Sequence, residues 1–160
     1  MVAQDAGHPP IGAGQTPETY LGYERGANFA NTEFGADTSL TYTLVDDLGP
    51  NEWSLGGKWQ IGAMGSVAQD ENSTLRIKFS AKEVYLVMDG PEGAAVTLKL
   101  DGKAVTRALY GGADMGDAGR IRLDGARLYR LVNLPVFTKY AVLDITLPKG
   151  ATVNAFTFGS

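Results

Sequence analysis

Apolar and polar residues alternate with a period of two along most of the chain beyond residue 56, as they do in half-buried β-strands. Leu75–Phe79 alternates apolar with basic residues, and Val96–Leu100 alternates apolar with Thr and Lys. Val84–Met88 is continuously apolar, which predicts a central strand covered on both sides. These segments predict β-structure and no helix between them.

Turn residues separate these strands at short intervals. Asp101–Gly102 and Asp124–Gly125 each follow an apolar segment, and Asp-Gly is typical of tight hairpin turns. Further strands are predicted at Ile121 and Leu123, Arg127–Leu134, Ala141–Leu147 and, after Pro148-Lys149-Gly150, Val153–Phe158. About eight strands without crossover helices predict an all-β fold, an antiparallel β-sandwich of jelly-roll type.

The first 55 residues have no strand periodicity. Residues 1–15 are rich in Gly, Ala and Pro and predict a flexible N-terminal arm, so that one domain spans residues 16–160. Thr16 followed by Pro17 predicts the N-cap of a short helix, with Tyr20, Leu21 and Tyr23 on its apolar side. Residues 28–55 are predicted to be irregular and to contact the body of the domain through Tyr42, Leu44 and Leu48.

Composition excludes several kinds of chemistry. The 160 residues include no Cys and one His, His8, which excludes disulfides, thiol catalysis and histidine-based triads within this chain. Eighteen acidic against 14 basic residues, a net charge of −4, argue against a nucleic-acid partner. The longest aliphatic-aromatic run, Val84–Met88, is far shorter than the roughly 20 residues that cross a bilayer, so no membrane insertion is expected.

The glycine-rich loop 111–119 contains two carboxylates, Asp114 and Asp117. Paired carboxylates are the catalytic groups of glycosidases, and Asp46 and Asp47 form a second such pair in another loop. Asp carboxylates are also ligands for Ca²⁺, although the spacing in loop 111–119 is not that of an EF-hand. We expect solvated loop acids and neither cofactor nor catalytic residue, with a structural Ca²⁺ at Asp114 and Asp117 as the alternative.

Aromatic side chains are the usual stacking surfaces of sugar-binding domains. Trp59 lies at a predicted strand start and is expected in the core, whereas Trp53 follows Asn51-Glu52 in a predicted loop and is expected to be exposed. The other aromatic candidates are Tyr110, Tyr129 and Tyr140.

Arg127 and Arg130 flank Tyr129. An arginine beside an aromatic ring can stack on it, pair with an acid or bind an anionic ligand. We expect Arg127 to form an ion pair with Asp114 or Glu24. The residues predicted to bind a ligand are Trp53, Tyr110, Asp114, Arg127 and Tyr129.

An ordered series of short motifs resembles the C-terminal domain of DipZ-type proteins, which are thioredoxin-like thiol–disulfide proteins. The motifs cover nearly the whole chain from Thr16; they are Thr16–Gly22, Leu55–Trp59, Leu100–Gly102, Gly112–Asp114, Arg127–Val132 and Ala155–Gly159. The resemblance implies a jelly-roll domain similar to carbohydrate-binding modules, attached to an extracytoplasmic thioredoxin-like domain. The redox Cys-x-x-Cys of such proteins is absent from this chain.

Three functional hypotheses follow. The first is a non-catalytic accessory module that binds a carbohydrate or another cell-envelope ligand for its thioredoxin-like partner domain. The second is a structural domain that packs on that domain or on its own copy. The third is a hydrolase that uses the loop carboxylates.

Overall fold

The computed structural model describes residues 14–160, and these residues form ten β-strands and no helix. The strands are β1 (Thr19–Tyr20), β2 (Ser39–Tyr42), β3 (Trp53–Ile61), β4 (Ser66–Ala68), β5 (Ser73–Asp89), β6 (Ala95–Leu100), β7 (Lys103–Ala104), β8 (Ile121–Arg122), β9 (Arg127–Leu147) and β10 (Thr152–Gly159). All pairings between these strands are antiparallel, which confirms the predicted all-β class.

Four strands close a small barrel. The first half of β5 pairs with β3 and its second half pairs with β10, while β4 pairs with both β3 and β10. Strand β9 pairs along the other edge of β5, and β6 continues the sheet beyond β9. Of the short strands, β7 and β8 pair with β6, β2 with β3, and β1 with β10. The pairings therefore describe a barrel with added strands, and the jelly-roll sandwich is not confirmed.

Strands β5 and β9 are longer than the sequence pattern indicates. Leu75–Phe79 and Val84–Met88 both belong to β5, and the two predicted strands between 127 and 147 are one strand, β9. Irregularities in register near Ala81 allow these strands to bend while they continue. Val84–Met88 is central, as predicted, because it pairs with β9 on one edge and with β10 on the other.

The alternating residues of the long strands fill the core. Trp59 is fully buried, as predicted, and Tyr42 and Leu48 anchor the segment before β3. Other large buried side chains are Leu55, Leu75, Ile77, Phe79, Leu86 and Phe156.

The prediction of a short N-terminal helix after Thr16 is wrong, because the structure has a strand there. The Thr16 hydroxyl accepts a hydrogen bond from the Ser80 backbone N–H at 2.7 Å and donates one to Asn51 Oδ1 at 2.7 Å, so it does not cap a helix. Strand β1 follows and pairs with β10. Pairing with an available strand edge outweighs the weak local preference for one or two helical turns. The predicted flexible arm falls almost entirely on residues 1–13, outside the described residues.

The two Asp-Gly turns have different outcomes. Asp101 and Gly102 have φ of +48° and +84°, and they join β6 to β7 in the predicted tight hairpin. Gly125 also has a positive φ, +98°, but the strand before it, β8, pairs with β6 and not with β9. The second Asp-Gly step is therefore a turn without a hairpin.

Candidate functional site

The glycine-rich loop 111–119 lies against the edge of β9. The Gly112 N–H donates to the Leu131 carbonyl at 2.9 Å, and Asp114 Oδ2 accepts the Arg130 backbone N–H at 2.7 Å. A Cβ on Gly112 would lie 2.5 Å from the Arg130 carbonyl oxygen, so the close approach requires glycine.

Arg127 is held by its own domain. Its Nη2 pairs with Asp114 Oδ1 at 3.1 Å, Nε with Asp124 Oδ1 at 2.7 Å, and Nη1 donates to the Leu128 carbonyl at 3.0 Å. The guanidinium carbon lies 3.8 Å from the centroid of the Tyr129 ring. The predicted ion pair with Asp114 is therefore present, and the second carboxylate is that of Asp124 and not Glu24. The hydrogen bonds to Asp114 and Asp124 raise the pKa of Arg127 further, so it remains a cation.

Tyr129 is fully buried beneath this arginine. Its hydroxyl donates to the Gly125 carbonyl at 2.6 Å and accepts the Asp124 backbone N–H at 2.8 Å. Burial raises the pKa of the phenol. The structure thus brings Asp114, Arg127 and Tyr129 together, and their contacts hold the 124–125 turn and the loop in place. Their predicted role in ligand binding stays a prediction.

The other candidate carboxylates, Asp117 and Asp46, each pair with a different arginine. Asp117 pairs with Arg107 at 2.6 Å, and its side chain is 88% exposed. Asp46 lies 3.4 Å from Arg76, which also pairs with Asp144 at 2.6 Å. No group of three or more potential metal ligands occurs among residues 14–160. The Ca²⁺ alternative at Asp114 and Asp117 stays untested.

The aromatic candidates occupy different environments. Trp53 is only 2% exposed, so its predicted exposure is wrong; it begins β3, and its Nε1 donates to the Ala27 carbonyl at 2.9 Å. Tyr110 is exposed, has φ of +66° and lines a pocket of about 210 Å³ together with Leu109 and Val105. Tyr140 is exposed on β9, far along the strand from Arg127.

A pocket lies above Trp53, which the sequence analysis predicted to bind a ligand. Its volume is about 220 Å³, and Tyr23 and Phe34 are exposed at its rim. Phe29 packs on Trp53 with ring centroids 4.6 Å apart. The complete lining is Gly22, Tyr23, Gly26, Phe29, Phe34, Trp53 and Ile61, and we call it the aromatic pocket.

Hydrogen bonds fix the rim of the aromatic pocket. The Tyr23 N–H donates to the Gly62 carbonyl at 3.0 Å, and the Glu24 N–H donates to the Ala63 carbonyl at 3.0 Å. The Tyr23 hydroxyl donates to Asp37 Oδ2 at 2.7 Å, and this bond raises the pKa of Tyr23. The rim therefore presents the aromatic ring of Tyr23, and Asp37 orients the hydroxyl of that ring.

A smaller pocket of about 50 Å³ lies on the other side of Gly22. Arg25 covers the ring of Tyr20, with its guanidinium carbon 4.0 Å from the centroid, and the side chain of Met64 is exposed beside them. Of the residues that line these two pockets, only Trp53 was predicted from the sequence to bind a ligand, because Tyr20 and Tyr23 were predicted to lie on a helix. Aromatic residues at 23, 29 and 34 in a stretch without periodicity are the signal that was available.

Comparison with known proteins places the chain in a family. Residues 16–159 match the family model described as thioredoxin like C-terminal domain. The chain is 27% identical over 147 residues to protein DipZ of Mycobacterium bovis and likewise to protein DipZ of Mycobacterium tuberculosis. The matched residues are 92% of this chain and 19% of each relative. It thus spans about a fifth of the length of these curated relatives. With 144 of its 160 residues matched, the chain belongs to the thioredoxin-like C-terminal domain family.

Proposed function

We propose that this domain is a non-catalytic accessory module of an extracytoplasmic, thioredoxin-like thiol–disulfide protein, and that it binds a cell-envelope saccharide in the aromatic pocket. Family membership supports the accessory role, because the matched family is described as a thioredoxin like C-terminal domain. The chain has no cysteine, so the thiol chemistry of such a protein would belong to that other domain. Among residues 14–160, no helix is long and apolar enough to cross a membrane.

The non-catalytic assignment rests on how the ionisable groups are used. Asp114 accepts hydrogen bonds from Arg127 and from a backbone N–H, and Asp117 faces solvent beside Arg107. A glycoside hydrolase that uses loop carboxylates needs two of them converging on the scissile bond, and the one that acts as general acid has a raised pKa. Asp124, which also contacts Arg127, has its pKa lowered chiefly by that hydrogen bond, the opposite of what a general acid requires.

One observation carries the saccharide proposal: two exposed aromatic rings, Tyr23 and Phe34, line a pocket, and the hydroxyl of Tyr23 is hydrogen-bonded to the Asp37 carboxylate. The C–H face of a sugar ring packs on an aromatic face, while its hydroxyl groups need acceptors and donors nearby. At about 220 Å³ the pocket is smaller than the roughly 300–1,000 Å³ typical of drug-sized ligands, which suits a single terminal sugar ring.

Calorimetry with mono- and oligosaccharides of bacterial cell envelopes tests this proposal. Tyr23→Ala and Phe34→Ala each remove one stacking surface and are expected to weaken binding about tenfold, about 1.4 kcal/mol, which is of the order of one aromatic contact. Tyr140→Ala is the matched control, because it removes an exposed tyrosine on another surface. Absence of binding to every saccharide, or equal affinity of the wild type and the Tyr23→Ala and Phe34→Ala variants, would contradict it.

The structural alternative, packing on the thioredoxin-like domain, uses a different surface and is compatible with the first role. An exposed apolar region of β9 around Val136 and Tyr140 favours it.

A further inference from the structure

Strand β9 projects an apolar bulge from the barrel. Asn133 pairs with Glu83 and Thr138 pairs with Ala81, so four residues of β9, 134–137, lie opposite a single residue of β5, Lys82. Leu134 among these residues is buried, whereas Val136 is 66% exposed. Beyond Thr138, Tyr140, with φ of +59°, is 55% exposed. We call residues 134–140 the β9 corner.

The chain enters the domain beside this corner. The Thr16 N–H donates to the Ser80 carbonyl at 2.9 Å, and the Thr16 hydroxyl accepts the Ser80 N–H at 2.7 Å. The Ser80 hydroxyl in turn accepts the Tyr140 backbone N–H at 3.0 Å. Ser80 is therefore a shared hydrogen-bonding partner of the residue that anchors the entering chain and of the end of the β9 corner.

We propose that the β9 corner is the surface on which the preceding thioredoxin-like domain docks. The proposal rests on the accessory role proposed above and is independent of saccharide binding. A domain that precedes this chain is linked to Thr16 through residues 1–15, which tethers it on the side of the barrel where Val136 and Tyr140 lie. Such tethering gives an effective concentration of the order of millimolar, so that a small apolar contact is sufficient for docking.

The charge around the β9 corner specifies the chemistry of the docking surface. Lys139 is exposed within the corner, and Lys82 lies on the neighbouring strand with its Nζ 3.0 Å from Asn133 Oδ1. The chain as a whole has a net charge of −4, but the β9 corner has two lysines beside its apolar side chains. Such a surface is complementary to an apolar patch that is flanked by carboxylates. We therefore expect the facing surface of the thioredoxin-like domain to be acidic at its rim.

Amide hydrogen exchange tests the docking. The chain alone is compared with one polypeptide in which the thioredoxin-like domain encoded upstream precedes this chain. Amides of residues 134–140 that exchange freely in the chain alone are expected to slow at least tenfold in the two-domain protein. Val136→Asp and Tyr140→Asp should restore the rate of the isolated chain. Phe34→Asp, a matched change of an exposed aromatic residue in the aromatic pocket, should leave the protection intact.

Several outcomes would overturn the proposal. These are equal exchange with and without the upstream domain, protection centred on the aromatic pocket, and protection in the chain alone that rises with concentration, which would identify a second copy as the occupant. The absence of an encoded thioredoxin-like domain would overturn the accessory role as well. Unchanged thermal unfolding of the aspartate variants verifies that they fold. Saccharide binding measured on the same samples separates failure of docking from failure of the aromatic pocket.

Discussion

Asp114 and Arg127 join the glycine-rich loop to strand β9 through an ion pair of 3.1 Å. The other carboxylate oxygen of Asp114 accepts the backbone N–H of Arg130, three residues further along the same strand. The loop pairs with no strand along its length and is otherwise held by isolated backbone hydrogen bonds, so the Asp114 side chain contributes to fixing its position. This arrangement makes Asp114 a structural residue, and its removal should affect stability.

Asp114→Ala is expected to lower the free energy of unfolding by about 1–2 kcal/mol. The half-buried ion pair contributes about 1 kcal/mol at most, and the Arg130 N–H loses its acceptor. Asp117→Ala is the matched control in the same loop, because its pair with Arg107 is exposed and should change stability by less than about 0.5 kcal/mol. Urea denaturation measures both, and equal effects of the two variants would argue against the structural role of Asp114.

Tyr129→Phe should be costly although it removes a single oxygen atom. The hydroxyl pairs with the Asp124 N–H and the Gly125 carbonyl, and the loss of a part-buried hydrogen bond of this kind costs about 0.5–1.5 kcal/mol. Tyr140→Phe removes the same atom from an exposed ring and should leave stability unchanged. Thermal and urea unfolding of the two variants test this, and a Tyr129→Phe protein as stable as the wild type would show that water replaces the hydroxyl.

The sequence predicts strands correctly where apolar and polar residues alternate over several positions and where the turn depends only on its own residues. Leu75–Phe79 and Val96–Leu100 lie in strands, and Asp101–Gly102 forms its hairpin, because side-chain period and positive φ are properties of the local sequence. The continuity of β5 through Ser80 was not predictable, since its bend depends on pairing with β9 and on the Thr16 hydroxyl.

The candidate site was predictable only in part. The pairing of Arg127 with Asp114 follows from charge, and the structure contains it. The burial of Trp53 was missed because the residues before it form a loop, while the ring itself is covered by Phe29 from a distant part of the chain. The aromatic pocket depends on the same long-range packing, which no periodicity records.

Gly22→Ala should disturb the aromatic pocket directly. An added Cβ would lie 2.5 Å from both the Ala63 carbonyl oxygen and the Gly65 nitrogen, so the backbone that leads to Tyr23 would have to move. Overpacking of this kind costs about 1–3 kcal/mol. Gly35→Ala is the matched control, because its nearest neighbours lie 3.6 Å or more from the added carbon. Gly22→Ala should lower both the free energy of unfolding and the affinity for the saccharide, and Gly35→Ala should change neither. A Gly22→Ala protein that is as stable as the wild type and binds saccharide equally well would contradict the close packing.

The charge on Asp124 should depend on its neighbour in a way that a titration can resolve. The hydrogen bond from Arg127 holds the pKa of Asp124 below its ordinary value, because it stabilises the ionised form. The associated stabilisation is complete above the unfolded-state pKa, about 3.9, and is lost as the pH falls through the lower folded-state pKa. In an NMR titration of the carboxyl carbons, Arg127→Met should raise the pKa of Asp124. Arg107→Met, which removes the partner of Asp117, should leave it where it was. If the Asp124 pKa is the same in the wild type and in Arg127→Met, the ion pair contributes nothing in solution, and the turn at Gly125 depends on Tyr129 alone.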